Sequence, residues 1–269
     1  MTATSAPGLG PDALDRYLAR VGLAGTRPSL TDLQAAHARS IPYEDLDIHL
    51  GRPISLVVDD LVAKLVDRGR GGYCYEQNTL YAAVLEALGH PITRHLGRVR
   101  LGDATSPRPA THMVLLVDGL VVDVGFGGAT PLGPIPLGGA ASYGGWTWTT
   151  EPTVTPEGER GWLVRLGDDA LYTFTEEPRH PVDYLAPNHY SSTHPLSLFT
   201  RHVLAQRWAG DVQVSLVDTA LSERRSDGRV SELRLGRAEL GDALRDRFGI
   251  GLAPPESAQV WAAAEAASG

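Results

Sequence analysis

The chain has 269 residues, 42% hydrophobic and 21% charged, a composition expected of a folded globular protein. A net charge of −8 argues against a nucleic-acid partner but does not exclude an anionic small molecule, because local potential outweighs the sum. The single cysteine excludes an intrachain disulfide and fits a reducing cytoplasm, and no apolar run reaches membrane-spanning length.

In chain order, residues 1–7 lack the basic and apolar stretches of a signal peptide, and the first ten residues read as a flexible tail. Leu14, Tyr17, Leu18 and Val21 follow helical spacing up to Gly22, Ser29 is a helix cap, and Leu61 and Leu65 mark a third helix. A further helix carries Leu80, Val84, Leu85 and Leu88 and stops at Gly89. From Pro91 the texture turns to β, with strands predicted at Ile92–Leu101, Trp146–Thr149, Trp162–Leu166 and Leu171–Phe174, a barrel or strongly curved sheet. Strands near Val212–Val217 and Val230–Leu235 and a helix through Leu240, Leu244 and Phe248 complete the pattern. The division expected is residues 1–90, helical; 91–200, β; and 201–269, mixed.

Cys74 stands where the loop Arg70-Gly71-Gly72-Tyr73 turns into the fourth helix. A helix start favours an anion, and the thiolate is the nucleophilic form of cysteine. The two glycines permit a close backbone approach and leave room for a substrate beside the sulfur. The competing reading is a buried structural thiol, the usual fate of a free cysteine.

Residues 112–124 read as a hairpin, two apolar runs joined by Asp118-Gly119. Extending its register pairs Val117 with Leu120, Leu116 with Val121, Val114 with Asp123 and His112 with Gly125. His112 and Asp123 then become diagonal neighbours on one face, with no side chain at Gly125 to crowd the imidazole. Both faces are largely apolar, so the hairpin is buried and the carboxylate needs the histidine as a partner. A core His-Asp pair without chemistry fits as well; beside a glycine-flanked cysteine, the balance tips to a Cys-His-Asp triad.

These segments resemble the arylamine N-acetyltransferases in order and spacing. The resemblance rests on Ile41-Pro42-Tyr43-Glu44-Asp45-Leu46-Asp47, Arg70 to Asn78, Thr111-His112, Asp123-Val124-Gly125-Phe126-Gly127-Gly128, and Ser192-Thr193-His194-Pro195 with Phe199. It runs from about Tyr17 to Phe199 and weakens beyond. It implies an α+β fold with an N-terminal helical bundle, a central β-barrel and a C-terminal α/β lid. It makes Cys74, His112 and Asp123 the catalytic triad of a ping-pong transfer of acetyl from acetyl-CoA to an arylamine or hydrazine. Thr111, Phe126, Gly127 and Phe199 would lie by CoA, and Tyr43 and Phe126 by the amine, although Tyr43 alone reads equally as core. The glycine-rich turn 125–128 reads by composition as a simple turn rather than a phosphate cradle. Glu44 and Arg70 are expected to pair and anchor the cysteine loop. Ala110 and His189 depart from the family pattern and are expected to alter the CoA or amine side of the pocket.

The other histidines show no metal-ligand spacing, so no metal is expected and most should be surface or capping residues. The partners implied are CoA and a small amine, with no nucleic acid and no membrane, in a monomer or homodimer. Two rivals keep the same cysteine: an amide synthase closing a polyketide macrolactam, and a cysteine hydrolase. A catalytically silent binding module is the third.

Overall fold

A computed structural model describes residues 8–102 and 105–268. The tail and signal-peptide readings of residues 1–7 lie outside the described residues. Leu9, also placed in the tail, instead packs against the first hydrophobic core.

The N-terminal helices are α1 (Pro11–Arg20) and α2 (Leu30–Ser40), the latter capped by Ser29, whose hydroxyl accepts from the Asp32 amide. A two-residue strand β1 (Tyr43–Glu44) and a short helix α3 (Leu46–His49) follow. Helix α4 (Val58–Leu61) runs on as a wider π-helical stretch over Val62–Asp67, and α5 (Cys74–Ala87) is the central helix, buried for most of its length. Its burial explains why the sequence shows little amphipathic contrast there: a helix surrounded by protein needs no polar face.

Strands β2 (Ile92–Val99), β3 (His112–Val117), β4 (Leu120–Val122), β5 (Ile135–Pro136), β6 (Ala140–Tyr143), β7 (Trp146–Val154), β8 (Arg160–Leu166) and β9 (Asp169–Phe174) form one antiparallel sheet. Their order is β5-β4-β3-β2-β9-β8-β7-β6, and the sheet curls until its ends meet. Thr150 of β7 joins them, its amide donating to Gly139 at 2.9 Å and its hydroxyl to Pro136 at 2.7 Å. The result is a nearly closed barrel.

Helices α6 (Leu185–Thr193) and α7 (Leu198–Arg201) lead to strands β10 (Leu204–Ala209), β11 (Val212–Val217), β12 (Ala220–Arg224) and β13 (Val230–Arg234), then to α8 (Arg237–Phe248) and α9 (Pro254–Ser268). The second sheet runs β1-β10-β11-β12-β13, so its edge strand comes from the N-terminal part, with Tyr43 paired to Gln206. The fold is α+β: helical bundle, barrel and α/β layer. The first core mixes helix residues with Met113, Leu115 and Val117 of β3, which seats the bundle directly on the barrel.

The hairpin register stands as read for Leu116–Val121 and Val117–Leu120, and Leu115 pairs with Val122. Asp118 and Gly119 take φ of 49° and 77°, the left-handed pair that a two-residue turn requires. The ladder with β4 ends at Val122, however, so the expected pairs Val114–Asp123 and His112–Gly125 do not form; on the other edge of β3, His112 lies opposite Gly97 of β2.

Candidate active site

Cys74 is the first residue of α5 and is only 3% exposed. Glu76 secures the helix start by accepting the Tyr73 amide at 3.1 Å, one of the first-turn donors that lack an intrahelical partner. The same carboxylate takes Lys64 Nζ at 2.7 Å, and Lys64 reaches Asp47 at 2.8 Å. Arg70 pairs with Glu44 at 2.8 Å and with Asp47 at 3.2 Å, and Glu44 also accepts the Gly71 and Leu46 amides. All five side chains are buried, and Arg52 reaches Asp47 from the surface at 3.3 Å, so three carboxylates meet three cations. Burial pushes Glu76 up to about 7 against the pull of Lys64. Burial also opposes the charge on Asp47, yet Lys64 and Arg70 draw that carboxyl down to about 2.

Gly71 and Gly72 serve this packing, not the substrate. A Cβ at Gly71 would lie 1.9 Å from the Pro42 carbonyl, and one at Gly72 would lie 2.6 Å from Glu76 Oε2. Neither lines the cavity described below.

On the facing hairpin, His112 Nε2 donates to Asp123 Oδ2 at 2.7 Å. Asp123 Oδ1 accepts from Asn78 Nδ2 at 2.9 Å and from the Gly125 amide at 2.8 Å. Burial raises this carboxyl, but His112, Asn78 and Gly125 together hold it below its ordinary value, so it is charged at neutral pH. Asn78 stands one helical turn beyond Cys74, donates also to the Met113 carbonyl at 2.8 Å and accepts the Val124 amide at 3.1 Å. It therefore stitches the cysteine helix to the hairpin. Gly125 allows this approach: a Cβ there would meet Asn78 Nδ2 at 2.7 Å and the Cys74 Cα at 2.9 Å.

The Cys74 thiol donates to the Thr111 carbonyl at 3.6 Å. Burial pushes the thiol up to about 12; the Met113 and Tyr75 amides pull it down, while Asp123 adds to the rise. The helix start thus does not offset burial, and the thiol needs a base to become nucleophilic at neutral pH. With Nε2 turned to Asp123, Nδ1 is the nitrogen of His112 left for that proton.

Cys74 and His112 line one cavity of about 520 Å³. Thr111, Phe126, Phe199 and Tyr43 line it too, while Gly127 stands behind the wall. Gly127 has φ of 70°, and the neighbouring Gly128 amide is committed to Gln206 Oε1 at 2.6 Å, so the turn packs against β10. Phe199 lies 5.0 Å from Tyr73 and 6.4 Å from Tyr43, between centroids. Ala110 and His189, expected to alter the pocket, do not line it; their neighbours Pro109, Thr111 and Tyr190 do. The rim carries the exposed apolar side chains of Leu101, Leu196 and Leu198.

A buried thiol, an imidazole held by a buried carboxylate and an adjoining cavity suit acyl transfer. The profile of a family described as N-acetyltransferase matches residues 27–257. An arylamine N-acetyltransferase of Mycolicibacterium smegmatis is 42% identical over 89% of this chain and 92% of its own. The chain belongs to the arylamine N-acetyltransferase family. Among solved family members, the Mycobacterium abscessus enzyme superposes with a TM-score of 0.87 at 32% identity over 94% of each chain. The Mycobacterium marinum enzyme in complex with CoA gives 0.83 at 33% identity over 93% of this chain and 98% of that one. The family match extends well past Phe199, further than the sequence motifs reach.

Among the other histidines, His37 and His95 are buried. His37 bridges the Tyr17 hydroxyl and Gln77 Oε1 at 2.8 and 2.6 Å, and burial pushes it down to about 4, so it is a neutral core group. Among the described residues no cluster of three metal-ligating side chains occurs.

Proposed function

We propose that the protein moves an acetyl group from acetyl-CoA to an arylamine or arylhydrazine through a thioester on Cys74. In the first half, His112 Nδ1 takes the thiol proton as Cys74 Sγ attacks the thioester carbonyl. The Cys74–carbonyl bond forms, the bond to the CoA sulfur breaks, and the proton leaves on CoA. In the second half the amine nitrogen attacks the enzyme thioester. The C–N bond forms, the bond to Cys74 breaks, and His112 carries the amine proton to the departing thiolate. The two thioesters are close in energy, so the cysteine divides one difficult transfer into two accessible ones. Asp123 fixes the imidazole tautomer and balances its charge, and the first-turn amide of Tyr75 is a donor for the oxyanion.

The observation that carries this reading is that His112, held by Asp123, lines the same cavity as Cys74. Thr111, Phe126 and Phe199 are proposed to line the path of the CoA arm, and Tyr43 and Phe126 the amine; Gly127 would act only through the turn that holds Phe126. Initial rates at varied acetyl-CoA and amine test the scheme. Parallel double-reciprocal lines are expected; intersecting lines would contradict a free acetyl-enzyme.

A further inference from the structure

The Tyr43 hydroxyl and the Gln206 amide are two polar groups of the cavity wall to which the mechanism above gives no part. Tyr43 and Gln206 are directly opposed across β1 and β10, so both side chains rise from one face of the second sheet. Leu204 and Val217, paired on the same face, line the cavity beside them, and Phe126 and Phe199 continue an otherwise apolar wall. Among the described residues neither the Tyr43 hydroxyl nor Gln206 Nε2 has a hydrogen-bond partner, and neither atom is sealed inside the protein.

The amide is held one way round. Gln206 Oε1 accepts the Gly128 amide at 2.6 Å, and a Cβ at Gly127 would lie 1.9 Å from that oxygen. Turning the amide over would set Nε2 against the Gly128 N–H, two donors together, so Nε2 is the atom left to donate. Burial, and then the neighbouring Cys74, raise the Tyr43 phenol far above its ordinary value, so it keeps its proton and is a donor as well. Among the described residues no carboxylate lines the cavity, and Arg108 is its one permanent cation. A wall that offers donors and no anion favours a ligand with an acceptor oxygen.

We propose that Tyr43 and Gln206 are specificity-determining residues: on an apolar wall they form a polar subsite that selects arylamines carrying an oxygen acceptor on the ring over those carrying an alkyl group. The inference rests on the reading of this cavity as the amine site and is independent of the group that Cys74 carries. An acceptor oxygen seated there meets donors that an alkyl group would desolvate and leave unpaired, and that difference is the basis of the discrimination.

The test is protection of Cys74 from iodoacetamide by para-aminoacetophenone and by para-isopropylaniline, which share a shape and differ in the acceptor. No acyl donor is present. In Tyr43→Phe the ratio of their half-protecting concentrations is expected to move against the ketone by about three- to tenfold, the worth of one neutral hydrogen bond. Gln206→Glu keeps an oxygen for the Gly128 amide and turns the donor into an acceptor, so its shift should be about tenfold or more. A merely structural role would weaken both amines alike; a ratio at the wild-type value in either folded variant overturns the proposed pair. Failure of both amines to protect wild-type Cys74 overturns it too. If Gln206→Glu does not fold, Tyr43→Phe alone decides. Ratios that move as expected in a protein that acetyl-CoA leaves unlabelled would keep the subsite and overturn only the acetyl-transfer reading.

Discussion

Beneath Cys74, the loop and helix are locked by Glu44, Asp47, Lys64, Arg70 and Glu76, a buried network of full charges. Across the cleft, Asp123 is held by an imidazole, a primary amide and a backbone amide, and the imidazole by aromatic faces. The difference separates two tasks. An ion network fixes a backbone firmly but is costly to break, because a lost partner strands a buried charge. Neutral donors orient one carboxylate while leaving its charge available to the histidine proposed as the base. Damage on the first side should therefore appear as instability, and damage on the second as lost activity in a folded protein.

The largest stability effect should come from Arg70→Gln, which takes the paired cation from Glu44 while Asp47 keeps Lys64 and Arg52. A loss of about 3–5 kcal/mol is expected in urea unfolding, the range for a broken buried pair. An unchanged unfolding midpoint would show that the network does not anchor the cysteine loop.

Asn78→Asp probes the opposite side, since it replaces the donor to Asp123 with a second acid. We expect kcat to fall by about a hundredfold, in line with loss of the partner that orients a ligand or base. The stability loss should be about 1–3 kcal/mol for each of the two buried hydrogen bonds that Asn78 Nδ2 makes, to Asp123 and to Met113. An Arg70→Gln variant that stays folded and loses kcat to the same extent would erase the contrast. Gly125→Ala is intermediate: its Cβ would press on both Asn78 and Cys74, and overpacking of this kind costs about 1–3 kcal/mol. Slower alkylation of Cys74 should accompany that loss.

A further effect concerns pH. Glu76 moves from an ordinary 4.5 up to about 7, so folding takes up a proton there and its contribution to stability falls as pH rises from 4.5 to about 7. Asp47 behaves oppositely. Its contribution is complete above 3.8 and is lost as pH falls towards about 2. Unfolding of wild type and Glu76→Gln across pH 4.5 to 7 should show the wild-type decline flattened in the variant, where Lys64 keeps Asp47. A parallel decline in both would remove Glu76 as its source.

The hairpin was legible because its signals are local. Asp118-Gly119 specifies the turn, and period-two alternation then assigns every later residue to a face. The cysteine helix was legible for the same reason. What escaped depends on contacts distant in sequence. Tyr43 pairs with Gln206, and β10 itself went unrecognised because Gln206-Arg207 interrupts its apolar run. Asn78 reads as one polar residue on a helix until Asp123 arrives from the hairpin. Lys64 and Glu76 look like solvent-facing charges, yet both are buried by partners that local spacing cannot announce. Gly71 and Gly72 signalled a close approach correctly, but what approaches is the Pro42 backbone and Glu76 rather than a substrate.

The most direct test of the account is intact-protein mass spectrometry after brief incubation with acetyl-CoA and no amine. One acetyl group is expected on the wild type, none on Cys74→Ser, and discharge of the label when an arylamine is added. Acetylation that persists in Cys74→Ser, or an unlabelled wild type whose thiol still reacts with iodoacetamide, would contradict transfer of acetyl through Cys74.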